Sequence, residues 1–127
     1  MKPEVEQAVN DIQAAFPDCP VLTREDGSGG ALVIVENMVL GPPYKQDTTW
    51  VGFHITFPYP YADVYPLFVR GDLARMDEKP LGEATSQGSF EGRAAVQLSR
   101  RANRLNPTTD TALRKLLKVM DWLKRRP

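Results

Sequence analysis

The stretch TWVGFHITF, residues 49–57, alternates without a break: Thr49, Val51, Phe53, Ile55 and Phe57 fall to one side, Trp50, Gly52, His54 and Thr56 to the other. Successive side chains of a strand point to opposite faces, so this pattern predicts a strand with one face against a core. Such a strand needs partners beside it and a layer above it. The next segment, PYPYADVYPLFVRG, begins with prolines that cannot donate ladder hydrogen bonds, which predicts a rigid turn and then a short strand over about Val64 to Val69. Upstream, VLTREDGSGGALVIVEN reads as two extended runs around EDGSGG, whose glycines allow the backbone angles of a hairpin turn.

The covering layer is also legible. Val5, Ala8, Val9, Ile12, Ala15 and Phe16 recur at helical spacing over residues 3–16, with Pro3 in the first turn and Pro17 as a stop. Leu113, Leu116, Leu117, Met120 and Leu123 form a second stripe, with Arg114, Lys115, Lys118 and Asp121 outside it and Asn106 or a threonine after Pro107 as its cap. Residues 70–92 hold glycine, proline and charges without period, a long loop of the kind that serves binding or catalysis. The following RAAVQLSRRANRL fits either a short helix or an irregular turn. The expected order is helix, four strands, long loop, helix. This makes an α+β domain over residues 1–127, an antiparallel meander with helices on one face.

Composition narrows the function classes. Sixteen basic and sixteen acidic residues cancel, so no overall field draws the chain to nucleic acid or a lipid surface. SRRANR and KRR nonetheless concentrate cations in the last third. The single cysteine, Cys19, excludes an internal disulfide and argues against a cysteine-based metal cluster, which suits a reducing cytoplasm. No apolar run approaches the roughly 20 residues of a membrane span.

The element order, together with FPYPYADVYPLFV, is similar to the ubiquitin-conjugating enzyme fold. Phe57-Pro58 stands where the family ends its third strand, and Tyr65-Pro66 where it enters the fourth; the sequence ADV replaces the usual prolines. In GRAAVQLSRRANRLNPTTDTALRKLLKVMDWL, Gly92, Ala95, Val96, Leu98, Pro107 and the helix of residues 113–123 follow the family's active-site template. Ala95 holds the place of the catalytic cysteine, either naturally or through a substitution. The histidine–proline–asparagine motif of the family is absent, and the chain ends after one helix, as in some bacterial relatives.

The resemblance implies a single domain that accepts a ubiquitin-like modifier from a partner activating enzyme, with that enzyme docking on the helix of residues 3–16. It implies no cofactor or metal, and a monomer or hetero-complex as the working state. With no thiol at position 95, the candidate acceptor is Ser99, forming an oxyester in a ubiquitin-like transferase. Arg100 and Arg101 would stabilise an oxyanion or hold a carboxylate terminus. The other reading of these residues has Ser99 capping a turn while the arginines pair with acids of residues 70–92. His54 is an ordinary strand histidine or a supporting group; Asp72, Asp77, Glu78, Glu83 and Glu91 are open candidates for orienting the nucleophile. Tyr59, Tyr61 and Tyr65 with the nearby prolines read as packing residues ahead of a peptide-binding surface, and Trp50 and Trp122 as packing residues ahead of stacking platforms. The alternative function is a non-catalytic module that holds the modifier or scaffolds its partners.

Overall fold

The computed structural model describes residues 1–127. Two helices, α1 (Pro3–Ala15) and α2 (Ala112–Lys124), pack on one face of a six-stranded sheet: β1 (Val21–Glu25), β2 (Ala31–Val39), β3 (Thr48–Ile55), β4 (Leu67–Arg70), β5 (Thr85–Phe90) and β6 (Arg93–Leu98). Every pairing is antiparallel, and the spatial order is β1-β2-β3-β4-β6-β5. The α+β expectation and the two helices therefore stand. No helix is long and apolar enough to cross a membrane.

The alternation of residues 49–55 becomes the centre of the sheet. Val51, Phe53 and Ile55 turn to the helices and are almost completely buried, while Trp50 and His54 look out of the opposite face. From α1, Val5, Val9 and Ile12, and from α2, Leu116, Met120 and Leu123, close over them in one core with Val33, Val35, Leu67, Val69, Val96 and Leu98. Each such side chain removed from water contributes about 1.5–3 kcal/mol, so this interface is the main source of cohesion. Phe57 and Leu117, both expected on buried stripes, are half or more exposed: Phe57 lies beyond the end of β3, and Leu117 points away from the sheet while Val119 takes its place inside.

Two tyrosines hold the ends of α2. The buried Tyr59 hydroxyl accepts from the Ala112 backbone N–H at 2.9 Å, and the buried Tyr44 hydroxyl donates to the Leu123 carbonyl at 2.7 Å. Thr111 is the cap among the threonines after Pro107, accepting from the Arg114 N–H. Helix termini carry backbone groups without intrahelical partners, and these three contacts supply partners for some of them.

The sheet has six strands where four were expected, and the difference lies in residues 70–98. The second half of the expected loop is β5, and RAAVQL is β6, neither helix nor irregular turn. They form a tight hairpin on Glu91-Gly92, whose backbone φ values of 49° and 76° are those of a left-handed turn. β6 then inserts between β4 and β5, so the meander is broken at that point. The hairpin tip curls over the outer face: Phe90 stacks on Phe68 at 5.0 Å and on Trp50 at 6.5 Å, and Glu91 reaches Arg24 of β1 with two hydrogen bonds.

Candidate functional site

Ala95 sits in the middle of β6, opposite Arg70 of β4 and Gly88 of β5. Its side chain is completely buried, in a small outer-face cluster with Ile34 and Phe90. The position expected to face an active-site loop is thus inside a sheet and under an aromatic ring. Any reacting group placed there would have no approach from solvent.

The chain leaves the sheet at Ser99. Its N–H donates to the Ala84 carbonyl at 2.8 Å, tying the base of the hairpin, and its hydroxyl accepts from the Gln97 side-chain amide at 3.2 Å. No base is hydrogen-bonded to it. The strand register puts Ser99 roughly level with His54, but two strand spacings away, about 10 Å. The His54 ring is already bonded to Asp26 at 2.7 Å, and that bond, with the Ser28 N–H, holds the Asp26 carboxyl below its ordinary range. Cys19, the only thiol, lies ahead of β1 at the other side of the sheet and donates to the Asn37 carbonyl.

Beyond Ser99 the segment runs along the flank of α2, beside Lys115, Lys118 and Trp122, and is fastened by a residue outside the candidates named from the sequence. Asp63, in the turn before β4, accepts from the Ala102 N–H at 2.8 Å and takes Lys115 of α2 at 2.8 and 3.0 Å. Lys115 is only 11% exposed and Asp63 21%, so solvent screens this pair little. The only sequence signal was the departure ADV, where the family has prolines. At the far end, Asp110 accepts from the Asn106 N–H, which keeps its carboxyl low, and Asn106 accepts from Thr108 in a local turn.

This fastening leaves a cleft of about 230 Å³ between residues 100–103 and α2, bounded by Asp63, Val64, Lys118, Val119 and Trp122. Arg100 and Arg101 stand on its wall, one with its guanidinium 5.0 Å from the Trp122 ring, the other 4.2 Å from Tyr65. Neither has an acidic partner. The acids of residues 70–92 are engaged elsewhere: Asp72 by Arg70, Asp77 by Arg75, Glu78 by Lys45 and Glu91 by Arg24. Arg75 drives the Asp77 carboxyl down to about 2. Glu83 alone forms no ion pair.

The structure therefore brings Arg100 and Arg101 together at one cleft and leaves Ser99 beside them without a base. Charge is segregated along the chain: residues 99–127 carry nine basic and two acidic side chains, residues 1–98 seven and fourteen. Oriented, unpaired guanidiniums suit bidentate binding of an anion. No cluster of three or more histidine, cysteine or acidic residues is placed to hold a metal ion. No family model, curated protein or solved structure matches the chain.

Proposed function

We propose that the protein is a ubiquitin-conjugating-like module of a bacterial ubiquitin-like modification pathway, and that it holds the modifier by its C-terminal carboxylate in the cleft of Arg100 and Arg101. The observation that carries this reading is the state of those two arginines. Both are steadied on aromatic rings and left without a carboxylate, while Arg24, Arg70, Arg75 and Arg93 are all paired. A carboxylate terminus supplies the missing partner. The solvent face of α1, with Glu4, Glu6, Gln7 and Asn10 exposed, is the docking surface proposed for the activating enzyme.

Non-covalent holding is favoured over transfer. In an oxyester mechanism the Ser99 oxygen would attack the activating enzyme's thioester, release its thiol and pass the hydroxyl proton to a base. Ser99 has no such base, and its oxygen already accepts a hydrogen bond from Gln97. The test combines the protein with a bacterial ubiquitin-like modifier and its activating enzyme, with ATP, and reads intact mass and binding together. The expected result is a complex without an adduct, weakened about tenfold or more by Arg100→Ala with Arg101→Ala, a loss of about 1.4 kcal/mol. A hydroxide-labile adduct that disappears in Ser99→Ala would replace holding by transfer. No complex and no adduct would sink both.

A further inference from the structure

A second, wider depression of about 650 Å³ lies between Glu83-Ala84, at the entry to β5, and the C-terminal end of α2. It shares Arg100, Lys118 and Trp122 with the cleft described above and adds Arg125 and Arg126. Trp122 forms the ridge between the two. Arg126 lies 4.4 Å from its ring and Arg100 5.0 Å, and neither guanidinium makes an ion pair. Lys118 reaches Asp110 only at 3.8 Å, and Arg125 shares Asp121 in a pair that is mostly exposed on both sides.

We infer that the Arg100–Trp122–Arg126 ridge is a docking site for an acidic protein segment. Stacking on an indole fixes the plane of a guanidinium and leaves its N–H edge free, so less ordering remains to be done when a carboxylate arrives. Two such groups against one ring can be met by carboxylates at alternate positions of an extended segment, about 7 Å apart. A nucleic acid fits less well. Single strands are held by stacking bases on open aromatic faces, and both guanidiniums already lean on the Trp122 ring. A continuous phosphate backbone would also meet Glu83, Asp110 and Asp121 along the same surface. The site stands beside the tail-holding reading and does not need a free carboxylate terminus.

The test uses fluorescence anisotropy with an acetylated and amidated peptide that alternates glutamate and serine. Its glutamine counterpart and an oligothymidine of equal charge serve as comparisons. The glutamate peptide should bind and the glutamine peptide should not, with affinity falling as salt rises from about 50 to about 500 mM and the Debye length shrinks. Arg100→Ala with Arg126→Ala should weaken binding about tenfold or more, whereas Arg114→Ala, an exposed α2 change outside the depression, should weaken it less than about twofold. If the alanine pair loses its helical signal, Arg100→Gln with Arg126→Gln is the variant to compare. Unchanged affinity in the double variant, an equal loss in Arg114→Ala, or tighter binding of the oligothymidine overturns the inference. Because the peptide ends in an amide, failure here leaves the tail-holding reading standing, and failure of that reading leaves this one standing.

Discussion

Tyr59 shows how much one polar atom decides. Burial pushes its phenol pKa up, so at neutral pH the hydroxyl is intact and accepts the first N–H of α2. Tyr59→Phe leaves that N–H buried and unpaired, and we expect a loss of about 1–2 kcal/mol in denaturant unfolding with an unchanged slope. Asp77 gives a pH signature. Its two hydrogen bonds from the buried Arg75 and one from the Lys79 N–H favour the carboxylate, and its pKa of about 2 lies below the ordinary value near 4. The folded state therefore binds this proton less readily than the unfolded chain, and the stabilisation is fully present above about pH 4 and is lost as pH falls toward 2. Thermal unfolding as a function of pH should show this decline in the natural protein and a flatter profile for Asp77→Asn between those limits.

At the scale of elements, the β5–β6 hairpin is the part that distinguishes this molecule from the four-stranded meander its sequence suggests. It is held to the outer face by Phe90, which lies over Gly52: a Cβ at position 52 would come within 2.6 Å of that ring. Gly52→Ala should lift Phe90 and cost about 1–3 kcal/mol, with faster amide exchange in residues 85–98 and little change in α1 and α2. A uniform change across the protein would show that the hairpin is not a separately yielding unit. The hairpin was hard to read for definite reasons. β5 is TSQGSF on an outer edge, exposed on Ser86 through Ser89, so it has no alternation to display. β6 has Val96 and Leu98 under the helices and Ala95 under Phe90, so apolar residues occupy both of its faces. The turn itself is Glu-Gly, which lacks the usual Asn-Gly signature although both residues adopt left-handed angles.

At the scale of the whole molecule, the sheet decides what can reach position 95. Ala95→Cys should give a thiol that is labelled by a maleimide at least about tenfold more slowly than Ala94→Cys, because Ala94 is exposed and position 95 must wait for local opening. Equal rates would show that the hairpin opens freely and would return position 95 to contention as a reactive site. By itself the sequence determined the two helices, the central strand and the first hairpin, because each buries one face and periodicity reports one-sided burial directly. It also marked Arg100 and Arg101 as a cationic pair. Only the tertiary structure decided that Ala95 is enclosed, that four of the five acids of residues 70–92 pair with cations other than Arg100 and Arg101, and that Asp63 fastens the segment after Ser99 beside α2. These are contacts between segments far apart in the chain, and a linear pattern carries no record of which charge meets which or of what lies above a strand's second face.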